Sequence, residues 1–353
     1  MRVLLVGDYP PPFGGVSIHV QQLHGFLRSR GVEARVLDIG KGGRPVPDVL
    51  PVRGLVPFGL RLTGFLGAGW TVHVHTSGNN PKAWLLAAAA GGLPGARAPR
   101  FITLHSGLLP DYLRASSSRR MFARVALAGY ARVIAVSEAV REALLECGVP
   151  EEKVLVHPAF CSSQVRPGEV PVRVEAARAR RRPLLAMAHH PSPVYGRRLA
   201  FRALRLVAES YPEVGLALFG PGTDSEDFIR DARELGVAKY LEPLGDLEHP
   251  AALGLLVRSD AFLRPTTHDG DSISVREALT LAVPCVASDV CDRPEGTWVF
   301  PSGDAASLAA RIRQAVTAGR VAVSSPDVGP VLLGLYESLA RRQPARTQPA
   351  SAM

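Results

Sequence analysis

Apolar residues fall into short continuous runs, separated by longer stretches in which they recur every three or four positions. The first run is RVLLVG, residues 2–7. The glycine-rich turn PPPFGGVS follows, and then Val16, Val20, Leu23 and Leu27 keep a helical spacing that Gly31 closes. ARVLDIG is the next run. Beyond a Pro/Gly-rich stretch come TVHVHT, RFITLH, ARVIAVS and KVLVHP, with helical segments between them. Continuous runs alternating with helices predict parallel strands covered on both faces, a doubly wound α/β sheet. The alternation breaks at 160–182, rich in Pro and Arg, where a linker is expected over 166–182.

It then restarts. PLLAMA, VGLALFG, AFLRPT and PCVASD are strand-like, and helices are expected at 197–211, 224–235, 249–258 and 272–282. DAASLAARIRQAVTAG and PVLLGLYESLARR read as two more helices, and residues 343–353 as a disordered tail. The chain therefore divides into two Rossmann-like domains, 1–165 and 183–329. Ligands of open parallel sheets bind beyond the carboxyl ends of the strands. Two such domains facing each other predict a site in the cleft between them.

Charge and cysteine usage narrow the classes. The four cysteines show no C-x-x-C spacing, which argues for reduced thiols in a cytoplasmic protein and against a disulfide framework or a zinc site. No signal peptide is visible, because Gly7 and Asp8 interrupt the first apolar run. The longest apolar run, AWLLAAAAGGLPG, is too short to span a bilayer. The net charge of +9 includes arginine clusters in RASSSRRMFAR and RVEAARARRRP. Such clusters suit a phosphorylated ligand or an anionic membrane surface, or are solvated helix faces. No aromatic interleaving or motif points to nucleic acid.

The strand ends carry the candidate chemistry. Gly14 and Gly15 open the first helix, where free amides suit an anion or a closely approaching sugar. His75 and His105 end two strands of the first half. In the second half a strand ends in His189-His190, and Tyr195, Gly196, Arg197 and Arg198 then open a helix; the arginines reach phosphates or are solvated. Gly220 and Gly222 read as a structural turn. The richest stretch is PTTHDGDSISVREAL, residues 265–279. Asp269-Gly270-Asp271 is formally a metal-binding Asp-x-Asp, but it fails as a calcium loop because its sixth position is Ser274 and its twelfth Thr280. Ser274-Val275-Arg276-Glu277 fits a capping box. The rival is a helix that begins near Asp271 or Ser272, with Glu277 in its second turn and the amides of Ser272 and Ile273 free for an anion. The sequence leaves these two readings balanced.

Taken together, the segments resemble glycosyltransferase family 4, the retaining family with the GT-B fold. The likeness lies in MRVLLVGDYPPPFGGVSIHV, in ITLHSG, in ARVIAVSEAVREALLECGVPEEKVLVHP, in DAFLRPTTHDGDSISVREALTLAVPCVASDV and in RPEGTWVFPSGDAASLAARI. It implies sugar transfer from a nucleotide diphosphate sugar, with retention of configuration and neither metal nor cofactor. The acceptor it implies is a glycan or a lipid-linked molecule, in surface polysaccharide synthesis. By position, Asp269 takes the carboxylate that binds donor sugar hydroxyls, and Glu277 the one that binds ribose. Ser272 and Ile273 fall at the diphosphate, Gly15 near the phosphates and the reacting sugar, and His105 beside the donor sugar. His190 and Tyr195 replace the family's usual Arg and Lys, so Arg197, Arg198, Arg276 or a charged His190 is expected to compensate. The resemblance also implies that the helix at 330–342 crosses back onto the first domain. Two other readings of the fold remain, a non-catalytic nucleotide or glycan binder and a sugar-nucleotide epimerase.

Overall fold

The computed structural model describes residues 1–42, 45–93 and 99–341. It divides into two compact units, one of Met1–Cys161 with the segment from Asp327, the other of Ser162–Pro326. The tail expected at 343–353 lies outside the described residues.

The first unit begins with β1 (Arg2–Gly7), α1 (Gly15–Ser29), β2 (Glu33–Asp38), β3 (Val49–Pro51), α2 (Leu55–Gly67), β4 (Thr71–Thr76) and α3 (Pro81–Gly92). It continues with β5 (Arg100–Leu104), α4 (Leu109–Arg114), α5 (Ser117–Leu127), β6 (Arg132–Ala135), α6 (Glu138–Glu146) and β7 (Val154–Val156). The strands pair in the order β3-β2-β1-β4-β5-β6-β7, and the pairings are parallel. β1 shows why the apolar runs are continuous. Val3 and Leu5 pack with Val20, Leu23 and Leu27 on one face, and Leu4 and Val6 pack with Val72 and Trp84 on the other.

The second unit has α7 (Val172–Arg180), β8 (Leu184–Ala188), α8 (Arg197–Ala208), β9 (Gly215–Phe219), α9 (Glu226–Glu234), β10 (Leu241–Gly245) and α10 (His249–Arg258). Then come β11 (Ala261–Arg264), α11 (Ile273–Thr280), β12 (Cys285–Ser288), β13 (Thr297–Phe300) and α12 (Ala305–Ala318). Its parallel sheet has the order β10-β9-β8-β11-β12-β13. The last helix, α13 (Val328–Arg341), belongs to the first unit: Val328, Leu332 and Tyr336 are buried among Val3, Leu5, Leu23 and Phe26. The fit is close, since a Cβ on Gly329 would lie 2.7 Å from the Phe26 ring. Among the described residues no helix is long and apolar enough to cross a membrane.

Residues 166–182, expected as a linker, contain α7. Val174 and Ala177 are fully buried against Leu184, Ala186 and Leu253. The arginines that made the stretch look solvated are paired: Arg178 with Asp260 at 2.5 Å, and Arg181 with Glu242 at 2.7 Å. Three strands absent from the apolar pattern, β3, β10 and β13, are edge strands. An edge strand covers only one neighbour and tolerates Pro, as β10 does at Pro243, so its hydrophobic signal is weak.

Candidate functional site

Both sheets reverse their strand order once, between β1 and β4 in the first unit and between β8 and β11 in the second. The carboxyl ends flanking such a reversal are where open α/β sheets bind ligands. Nearly every candidate residue lies in a loop leaving one of these strands or its neighbour.

In the second unit the loops after β8 and β11 touch. The Thr267 amide donates to the Val194 carbonyl at 2.9 Å. Gly196, at φ +71°, is pressed so close to the Pro265 carbonyl that a Cβ would fall 1.9 Å from its oxygen. This contact brings His190, Tyr195 and Asp269 together. The His190 and Tyr195 rings stack at 5.1 Å, and the Arg264 guanidinium lies 5.0 Å above the Tyr195 ring. Arg264 Nε donates to Asp269 Oδ2 at 3.1 Å, and Arg293 Nη1 donates to the same oxygen at 3.0 Å. Thr266 Oγ1 adds a third bond at 3.3 Å. Among the described residues, Asp269 Oδ1 has a single long contact, 3.5 Å from Arg264 Nη2. Burial works to raise the Asp269 carboxyl, yet Arg264 and Arg293 overcome it and hold it below the ordinary aspartate value. Two guanidiniums against one carboxylate leave a net positive charge in this nearly sealed cluster.

The start of α11 settles the balance left open by the sequence. The helix begins at Ile273, with Ser272 as its N-cap in extended backbone and no side-chain capping bond. Ser274 is thus inside the helix, and of the two readings the capping box is the one that does not form. Glu277 sits in the second turn, where its Oε1 accepts from His249 Nε2 at 2.7 Å. Burial works to lower His249, and the charge and hydrogen bond of Glu277 raise it above its ordinary value. Asp271 is paired with Arg276 Nε at 2.7 Å, and burial nevertheless leaves its carboxyl raised.

The remaining arginines are engaged elsewhere. Arg197 Nε donates to the buried Asp231 at 2.8 Å, and Arg198 binds Asp231 and Glu234 on the same helix, α9. Arg197 was expected at the phosphates; it faces α9 because Asp231 is a buried carboxylate that requires a cation. The cations beside Asp269 are instead Arg264 and Arg293, which the sequence reading missed. Arg264 was hidden inside a strand, and Arg293 lies 24 residues from Asp269. Gly220 proves a structural turn: at φ +123° its Cβ would meet the His189 carbonyl at 2.2 Å. A cavity of about 740 Å³ opens at the ends of β9 and β10, lined by Gly220, Gly222, Thr223, Phe228, Leu241 and Gly245. Asp269, Ser272 and Glu277 are not in its lining, so it adjoins the strand reversal rather than occupying it.

In the first unit, Gly14 is the N-cap of α1, and its amide donates to Ser17 Oγ at 3.0 Å. Gly15 is the first helical residue. A Cβ there would meet nothing within 4 Å, so packing within the chain does not explain the glycine. His105 follows β5, and its Nε2 lies 3.4 Å from Nδ1 of the buried His75. Two more buried histidines, His19 and His73, stand against them. The alternation in TVHVHT, which puts His73 and His75 on one side of β4, was the available signal. Burial holds His19 down to about 3 and His73, His75 and His105 well below their ordinary value, so this group is neutral.

Residues 13–161 match the model of Glycosyltransferase Family 4, and residues 182–318 match that of Glycosyl transferases group 1. The chain is thus a glycosyltransferase, its first part matching the family 4 model and its second part the group 1 model. A glycogen synthase of Mycobacterium tuberculosis is 26% identical over 357 aligned positions, covering 89% of this chain and 85% of that protein. A phosphatidyl-myo-inositol mannosyltransferase of Propionibacterium freudenreichii is 25% identical over 387 positions, covering 95% and 94%. Anabaena HepE, solved with UDP-glucose, matches at a TM-score of 0.69 and 18% identity over 97% of this chain and 98% of that one. The sucrose-phosphate synthase of Thermosynechococcus elongatus matches at 0.65 and 16% identity, over 97% and 100%. These structures share the GT-B fold with this glycosyltransferase, two Rossmann-like domains in one chain.

Proposed function

We propose that this glycosyltransferase transfers a sugar from a nucleoside diphosphate sugar, with retention of configuration and no metal ion in the reaction. The observation that carries the reading is the pair Arg264 and Arg293 over Asp269, beside the start of α11, which no side chain caps among the described residues. In this reading the diphosphate lies against the amides of Ser272 and Ile273, where the helix dipole favours negative charge. As the glycosidic bond breaks, charge develops on the leaving phosphate, and the net positive Arg264–Arg293 cluster stabilises it in place of the family's usual Arg and Lys. Asp269 Oδ1, nearly free of partners, accepts a donor sugar hydroxyl. Glu277, steadied by His249, holds the ribose. Gly15 leaves room for the sugar, and the neutral His105 hydrogen-bonds to it. Among the described residues, no pair of carboxylates stands ready to form a covalent glycosyl intermediate. Front-face substitution assisted by the leaving phosphate is therefore the favoured route.

The acceptor in this reading is a glycan or lipid-linked molecule of surface polysaccharide synthesis, met in the cytoplasm at an anionic membrane face. The support is the outer face of α5, where exposed Met121, Phe122 and Val125 lie among Arg119, Arg120 and Arg124. The test is a thermal-shift panel of nucleoside diphosphates and their sugars, followed by mass spectrometry of products with candidate acceptors. Uridine nucleotides come first, because HepE was solved with UDP-glucose. A ligand of the native state raises the melting temperature. Release of free nucleoside diphosphate only when an acceptor is present supports transfer. A flat panel defeats the proposal.

A further inference from the structure

Three histidine rings of the first unit converge on one point. His19 comes from α1, His75 from the end of β4, and His105 from the turn after β5. Their centroids are 5.1 Å (His19–His75), 5.3 Å (His19–His105) and 5.7 Å (His75–His105) apart. One ring nitrogen of each lies within 4.8 Å of the other two. Imidazole nitrogens about 2.0–2.1 Å from a tetrahedral zinc ion are roughly 3.3 Å apart, with ring centres roughly 5.2 Å apart. His75 Nδ1 and His105 Nε2 are 3.4 Å apart. The observed triangle is close to that of three zinc ligands.

The polar accounting points the same way. His19 and His75 are each 1% exposed, and among the described residues His19 Nδ1 has no hydrogen-bond partner. Buried imidazole nitrogens without partners are uncommon and require a cause. The Ala159 carbonyl bonds the His19 ring, the kind of backbone contact that fixes the tautomer of a metal-bound histidine. His73 stacks on His75 at 4.1 Å, but both its nitrogens are engaged, by the Tyr336 hydroxyl and by Thr103 Oγ1. It walls the cluster and contributes no ligand.

We propose that His19, His75 and His105 form a binding site for a divalent transition-metal ion, zinc foremost, with a fourth position left to water or an anion. Imidazole ligands suit zinc, and a three-histidine set is the open, four-coordinate kind of site. Zinc there ties down the His105 nitrogen that the sugar contact needs, so the ion acts as an inhibitor. Only that consequence rests on the reaction proposed above; the binding does not.

The test is calorimetric titration of zinc chloride into the chelator-stripped full chain with no nucleotide present, repeated with cobalt chloride and read by visible absorption. The expected result is one zinc per chain at micromolar affinity or tighter, and a tetrahedral cobalt spectrum. His105→Asn, at a half-exposed position, weakens zinc binding at least tenfold, and so does His19→Gln, each with an unchanged far-UV spectrum. His268→Asn, at an exposed histidine of the second unit, binds as the wild type does. No saturable binding, an octahedral cobalt spectrum, or His105→Asn binding within twofold of the wild type overturns the proposal. Zinc binding without any nucleotide binding would defeat the proposed reaction and leave the metal site standing.

Discussion

The two sheets reverse strand order in the same way, and their carboxyl ends are furnished in opposite ways. The second unit collects charge: Arg264, Arg293 and Asp269 in one cluster, Asp271 with Arg276, and His249 with Glu277. The first collects neutral groups, a glycine-opened helix, the buried His19, His73 and His75, and the partly buried His105, each held below its ordinary value. Topology thus sets where a ligand binds, and side chains set which part of it. In the reaction proposed above, the charged groups are assigned the diphosphate and the neutral groups the sugar.

The sharpest way to break this comparison is to remove charge from the second unit. Arg293→Met takes one of two cations from a buried carboxylate. Asp269 keeps Arg264 as its partner, so urea melts are expected to show a loss of about 1.5–3 kcal/mol, the scale of a hydrogen bond to a charged group. Isothermal titration is expected to show nucleoside diphosphate affinity falling at least tenfold. A stability loss with unchanged affinity would make the cluster structural.

The next largest effect belongs to the first unit. His105→Asn is expected to lower turnover by about 100-fold, the scale of one lost transition-state hydrogen-bond donor, while nucleoside diphosphate affinity stays within twofold. Steady-state kinetics beside calorimetry separate the two, and equal losses in both would erase the division of labour. Gly15→Leu comes third. With open space at its Cβ the fold is expected to be intact, and the donor KM to rise about tenfold with nucleoside diphosphate affinity unchanged.

The smallest effect is a pH dependence confined to the second unit. His249 is held above its unfolded value by Glu277, so the folded state binds its proton more tightly. The stabilisation from the pair is fully present below the unfolded value of 6.5 and is lost as pH rises through the raised one. The melting-temperature gap between wild type and Glu277→Gln is expected to be widest at pH 6 and to narrow by pH 8. A gap that widens with pH contradicts the assignment.

Much of this was legible before the structure. The interior strands announced themselves because both their faces are buried, whereas of the four edge strands only β7 did, since only part of an edge strand is covered. The α7 helix was misread because its arginines are paired with Asp260 and Glu242. Composition reports a charge without reporting its partner. Asp269, Ser272, Ile273 and Glu277 were candidates because they lie in one contiguous segment. Arg264 and Arg293 were missed because their role arises where three loops meet, a distance that spacing along the chain does not encode. Arg197 illustrates the converse. Its position at a helix start suggested a phosphate ligand, and a buried carboxylate two elements away, Asp231, engages it instead.

The measurement closest to the central claim is calorimetric titration of uridine, adenosine and guanosine diphosphates, and of the matching nucleosides, into wild type and Arg264→Met. The account predicts that one diphosphate binds at a single site, that Arg264→Met weakens it at least tenfold, and that nucleoside binding is unchanged. Diphosphate affinity that survives Arg264→Met, or a wild-type protein that binds none of the three, would contradict it.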